Sequence, residues 1–198
     1  MTRRSKGSKR PPRLVDVRPQ RRTITFREER NSIMAVYLKF DSIDGACTDK
    51  GYEKWVMASN YNVLGTRQLM TSAGGGAQTS AERTTGSTVL GPIEAVMNTD
   101  KSTAKLLAHT FGGKMVKKVE IAETTTVGGK SELNNHFELS DVLLTLIQIG
   151  GDGRGNQQTR VLMMPTKIKH KYQEIDPKDG SLKGTVEGEY DSEAKVAK

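Results

Sequence analysis

Met34-Ala35-Val36-Tyr37-Leu38-Lys39-Phe40 is the stretch that decides the fold class. Val36, Leu38 and Phe40 alternate with Ala35, Tyr37 and Lys39, the two-residue period of a strand with one buried face. Ser42-Ile43-Asp44-Gly45 then supplies a turn, and a second strand is predicted over residues 53–64, with Trp55, Met57, Tyr61 and Val63 packing inward. Residues 86–96 read as a further strand. Pro92 within it lacks a ladder donor, which predicts an edge position or a bulge. Strand text returns over 115–126, where Val116, Val119 and Ile121 are apolar, and over 135–149. The continuous apolar run Val142-Leu143-Leu144-Thr145-Leu146-Ile147 could form a short buried helix, but its β-branched content and the glycine turn that ends it favour a strand covered on both faces. The glycine turn Gly150-Gly151-Asp152-Gly153 leads to strands over 157–164 and 167–173, the latter without a clean two-sided pattern. Asp176-Pro177-Lys178-Asp179-Gly180 is a turn, and 184–190 pairs back as a last hairpin strand.

One segment carries a helical period instead. Thr99 and Asp100 offer capping side chains, Ala104, Leu107, Ala108 and Phe111 recur at helical spacing, and Gly112-Gly113 stops the run. Many strands, short turns and a single helix define a mainly β protein. The architecture expected is a β-barrel or sandwich of two sheets with one short flanking α-helix.

The charge is distributed unevenly. The chain has 198 residues and a formal net charge of +8. Eleven of its 31 Lys/Arg and three of its 23 Asp/Glu fall in residues 1–33, so the remaining 165 residues balance 20 basic against 20 acidic groups. Segment 1–33 contains Pro11-Pro12 and almost no apolar periodicity, and it reads as a basic disordered extension. Met34, by contrast, opens directly into strand text. Arg27-Glu28-Glu29-Arg30 can be encoded by a purine run resembling a ribosome-binding site, so Met34 is expected to be the natural start, with 34–198 the folded domain. The other reading of 1–33 is a polycation that grips phosphates.

Candidate chemistry is sparse. No catalytic, cofactor-binding or metal-ligating residue set emerges. Cys47 is the one cysteine, so no internal disulfide forms, and a lone thiol suits a chain folded in a reducing compartment. His109, His136 and His170 have no ligand at metal-binding spacing. The run Gly150 to Gly155 lacks a phosphate-binding lysine motif, and Ser72, Ser80 and Ser87 lack a nucleophile elbow. No run of about 18 apolar residues suggests a membrane span, and no signal peptide is recognisable. Aromatic residues are too few for a nucleic-acid stacking surface. The expectation is a structural protein, not an enzyme.

One loop stands out. Thr71-Ser72-Ala73-Gly74-Gly75-Gly76-Ala77-Gln78-Thr79-Ser80 has more glycine than a tight turn needs, and Gln78, Thr79, Glu82 and Arg83 supply polar groups.

Over residues 34–198 the order of these features resembles the hemolysin-coregulated protein family. Residues Tyr37 to Asp49 are similar to its first strand and Asp-Gly turn, followed by a polar spacer and Trp55. Gly75 to Arg83 resembles its glycine-rich loop running into Glu-Arg, and Asp100 to Leu107 its helix start. Tyr172, Gly180, Gly184 and Tyr190-Asp191 are similar to its C-terminal pattern. The helix lacks the family's proline, Tyr190 stands where Trp is common, and residues 1–33 have no counterpart.

The resemblance implies a barrel subunit, similar to phage tail-tube proteins, that forms homo-hexameric rings stacking into the hollow inner tube of the type VI secretion system. A spike protein caps that tube, a sheath surrounds it, and its lumen carries effector cargo. It further implies residence in the bacterial cytoplasm before firing and secretion afterwards, with no cofactor. The loop residues Thr71, Ser72, Gly74, Gly75, Gly76, Gln78, Thr79, Glu82 and Arg83 would contact the neighbouring ring. The alternatives are a phage-type tail-tube protein, a nucleic-acid-binding module using the basic segment, and an enzyme with a composite pocket.

Overall fold

The structure is a computed structural model that describes residues 34–70, 84–127, 129–176 and 178–197. Eleven strands and one helix follow in order: β1 (Met34–Phe40), β2 (Val56–Asn62), β3 (Gly65–Met70), β4 (Thr84–Leu90), β5 (Ile93–Asn98), α1 (Ser102–Phe111), β6 (Val116–Val127), β7 (Lys130–Gly151), β8 (Gln157–Met164), β9 (Lys167–Ile175), β10 (Leu182–Asp191) and β11 (Val196–Ala197). Nine of the strands form one sheet in the order β11-β10-β9-β7-β6-β1-β2-β5-β8, and β8 also pairs with β7. That extra pairing closes β7, β6, β1, β2, β5 and β8 into a six-stranded barrel with no edge around its girth.

Closure depends on the length of β7. Its first half pairs with β6 from Lys130 to Val142, and its second half pairs with β8 from Leu143 to Gly151. β8 and β9 run antiparallel along one edge of β7 and are interrupted at Pro165-Thr166. Opposite that break, Asp141 takes a left-handed backbone (φ 49°), a conformation Asp tolerates better than most residues. The Thr166 hydroxyl donates to the Asp141 carbonyl at 3.3 Å. From this point β9, β10 and β11 leave the barrel as a three-stranded wing.

The core is the barrel interior. Leu38 and Phe40 of β1 are buried as the alternation predicts, against Val56, Ile93, Ala95, Met97, Val119, Ile121, Leu139, Val142, Leu144, Val161 and Met163. Removal of these apolar side chains from water is the main stabilising term of the fold. The mainly β barrel with one short helix is the architecture read from the sequence; its second sheet is the two-stranded β3–β4 ribbon.

Four local expectations are corrected. In β2 the inward residues are Val56 and Ala58 and then Tyr61, while Met57 is exposed. A bulge between Ala58 and Asn60 shifts the register and reverses inward and outward along the strand. Pro92 is neither at an edge nor in a bulge: with Gly91 it divides the predicted strand into β4 and β5, which join different sheets. The run Val142 to Ile147 is covered on one face, since Val142 and Leu144 are buried while Leu143 is exposed. Finally, α1 buries Ser102, Thr103 and Leu106, and Phe111 points out.

Candidate functional site

Sequence reading placed the functional surface in the loop between two strands. The structure supplies the frame for it. β3 and β4 form an antiparallel ribbon from Gly65↔Leu90 to Met70↔Thr84, with a register shift between Arg67 and Leu69. At its base the Gly91 N–H donates to the Leu64 carbonyl at 2.8 Å. A Cβ on residue 91 would itself lie 2.8 Å from that oxygen, so only glycine lets the ribbon close there. Residues 71–83 connect the far ends of the two strands, and Thr71, Ser72, Gly74, Gly75, Gly76, Gln78, Thr79, Glu82 and Arg83 all lie outside the described residues. A two-stranded ribbon is marginal by itself in water. The Tyr190 hydroxyl, on the wing, donates to the Thr88 carbonyl of the ribbon at 3.4 Å.

The first turn is built to hold the opening of the chain against the barrel. Gly45 N–H donates to Lys54 O at 2.7 Å, and a Cβ at Gly45 would fall 2.2 Å from Trp55 O. Tyr37 stacks on Tyr52 with 4.1 Å between ring centroids, and Tyr52 meets Trp55 edge-on. The Tyr37 hydroxyl donates to Asp49 at 2.8 Å. Burial, with the Asp49 carboxylate as its acceptor, pushes this phenol up to about 12, so it is a structural donor at any physiological pH. Cys47 is buried, and burial pushes its thiol upward, which makes it a poor nucleophile.

His136 and His170 have side-chain partners. His136 Nε2 lies 3.3 Å from Glu120 on the outer face of the sheet. His170 stacks on Phe137 with 4.2 Å between centroids, and its Nε2 lies 3.0 Å from Asn135 Oδ1. The Asn135 amide donates to Glu123 at 3.1 Å, and Tyr61 donates to the same oxygen at 2.6 Å. This chain of side chains links β2, β6, β7 and β9 across the junction of barrel and wing. Burial lowers the His170 pKa and raises that of Tyr61, assisted by the bond to Glu123. Sequence reading missed this network, yet it left a signal. Glu123 and Asn135 occupy inward positions, continuing Val119-Ile121 and preceding Phe137-Leu139. A polar group in an inward series needs a partner.

Among the described residues no group of three or more His, Cys, Asp and Glu is arranged to hold a metal ion, and no helix is long and apolar enough to cross a membrane. An open polar hollow of about 760 Å³ lies at one barrel end beside Asn98, Gly151, Asp152 and Gln158. Asp152 is committed there to the Arg154 and Asn156 backbone amides, so it is not a poised general base.

The fold is a closed barrel with a separate ribbon, and comparison with known proteins decides the family. A sequence profile described as "Type VI secretion system effector, Hcp" matches residues 37–178. The chain belongs to the Hcp family. It is therefore a tube-type, secreted component of the type VI secretion system, and the family is a structural one.

Solved structures share the fold at low identity. A type six secretion system protein superposes with a TM-score of 0.74 at 17% identity, covering 84% of this chain and 100% of that one. Hcp1 from Salmonella typhimurium gives 0.65 at 15% identity, covering 83% and 98%. A type VI secretion system effector from Yersinia pestis gives 0.58 at 15% identity, covering 79% and 98%. Compared by sequence with curated proteins, the chain matches none.

Proposed function

We propose that six copies of this Hcp chain close into a ring and that the rings stack into a hollow tube. The tube is exported beneath a spike protein and within a sheath, and it can carry effector cargo in its lumen. The observation that carries the reading is the family match over residues 37–178. Two features of the fold support it. The barrel leaves no free edge around its girth, whereas β10 is exposed from Leu182 to Glu189 and pairs with β11 only at Tyr190 and Asp191. Unpaired backbone of this kind is stable when another chain covers it, and a heterologous contact that closes does so without leaving a free end. The β3–β4 ribbon supplies the second contact, carrying Thr71 to Arg83 toward the next ring. Each such contact is weak because a glycine-rich segment loses conformational freedom on docking, but sixfold repetition multiplies it.

Replacing residues 71–80 with a two-residue turn separates the two contacts. The reading requires the shortened protein to keep its ring mass while tube formation and export fail. Normal export of the shortened protein contradicts the stacking role.

A further inference from the structure

Helix α1 is inverted. The face it turns to the barrel holds Ser102, Thr103 and Leu106, all buried. On the opposite face Ala104 and Ala108 are exposed, and Phe111 is 81% exposed. Met115, just beyond the Gly112-Gly113 stop, is 55% exposed and continues the stripe. Removing an aromatic ring and a thioether from water is favourable, yet no described residue covers them. The two alanines keep the stripe low, so that a partner element can approach the helix backbone closely.

The charge beside the stripe identifies the partner. Lys101 and Lys105 flank it along the helix and Lys114 lies at its end, all exposed. None of the three makes an ion pair among the described residues. Several cations of the sheet are paired, although Lys39, Lys117 and Lys130 have no ion pair among the described residues either. Lys118 bridges Glu120 and Glu138, Lys167 pairs with Asp191, Lys169 and Lys171 share Glu187, and Arg160 pairs with Glu94. The helix has no acidic residue in its first turn. From residue 101 to 119 the chain holds Lys101, Lys105, Lys114, Lys117 and Lys118 and no acidic residue, so positive charge gathers beside the exposed apolar stripe of a domain that is otherwise charge-balanced.

We infer that α1 is a docking surface for an acidic amphipathic helix of another protein, whose apolar residues cover Ala104, Ala108, Phe111 and Met115 while its carboxylates meet Lys101, Lys105 and Lys114. Groove recognition by an amphipathic helix uses such anchors at helical spacing, and complementary charge steers the encounter. A second copy of this chain is the competing occupant, and the test separates the two.

The probe is a synthetic peptide of about 18 residues, long enough to hold helical structure on a surface, with leucines at helical spacing and glutamates beside them. A control peptide carries lysine at every glutamate position. Fluorescence anisotropy is read against the full-length protein at low and high salt, together with its native mass.

The expected result is binding of the acidic peptide alone. It weakens with salt, falls roughly tenfold in the triple variant Lys101→Glu, Lys105→Glu, Lys114→Glu, and is lost in Phe111→Ser. The native mass of the unliganded protein stays that of the wild type in both variants. Equal binding of the two peptides, or binding of neither, overturns the proposal. A lower native mass for Phe111→Ser overturns it in favour of a contact between copies. Phe111 and the lysines are exposed, so circular dichroism should show both variants folded as wild type.

Discussion

β1 and α1 both carry a clear apolar period, and they spend it in opposite directions. In β1 the stripe Val36, Leu38, Phe40 enters the barrel, where Leu38 and Phe40 are fully buried. In α1 the stripe Ala104, Ala108, Phe111 turns away from the barrel, and the helix instead buries two hydroxyl side chains with Leu106. An apolar period marks a surface that favours cover; it does not name the partner. A strand obtains its partners through backbone pairing, which forces one of its faces onto the core. A helix satisfies its own backbone and is free to present its apolar face elsewhere.

That contrast is sharpest as a pair of truncations. Leu38→Ala empties part of the core and should cost about 2–5 kcal/mol of unfolding free energy, measured by denaturant titration. Phe111→Ala, which removes a larger side chain, should stay within about 0.5 kcal/mol of wild type. A large loss from the Phe111 variant in the isolated chain would mean that α1 uses its stripe within the fold.

The polar network at the junction of barrel and wing is the intermediate case. Tyr61→Phe removes the donor to Glu123 and should cost on the order of 1–3 kcal/mol, because the lost bond is to a partly buried carboxylate. Glu123→Gln should cost a comparable amount, and the double variant less than the sum of the two, since both act on one bond.

His170 gives the network a pH signature. Burial holds its folded pKa below the ordinary value of 6.5, so the unfolded chain takes up the proton first. The stabilising contribution is complete above about pH 6.5 and is lost as pH falls from there through the lower folded pKa. Comparing denaturant unfolding of wild type and His170→Gln from pH 8 to pH 5 isolates this group. The stability gap should shift in favour of the variant as the solution is acidified. Glu138, held low by its bond to Lys118, loses its contribution only further down, below the ordinary carboxylate pKa of 4.5, where it affects both proteins alike.

How much of this could be read in advance follows from where physical constraints are local. The alternation in β1, the apolar positions Val116, Val119 and Ile121, the Gly112-Gly113 stop and the Asp176-Gly180 turn are set by short-range sterics and patterning, and each was legible. The bulge at Ala58–Asn60 was not, because an extra residue in a strand shows itself only against its partner β5. The split at Gly91-Pro92 depends on Leu64 approaching Gly91, a contact between distant residues. The orientation of α1 turns on one position, Leu106 instead of Leu107, and the barrel decides it. For the candidate surface, composition pointed to residues 71–83, whereas the ribbon that carries them was missed because Gly65 to Met70 has no alternating apolar pattern.

The smallest effect concerns segment 1–33. Residues 1–33 carry almost no apolar periodicity and strand β1 opens at Met34, so a chain begun at Met34 should melt at the same temperature as the full-length protein and retain its ring mass. Loss of several degrees would make the basic segment part of the fold.

The most direct test of the account is the native mass of the purified full-length protein at concentrations on the order of 10 μM, where a stable ring should persist on dilution. The account predicts a single closed species of six chains of 21.8 kDa each. A monomer under those conditions, or an open series of masses without a sixfold maximum, would contradict it.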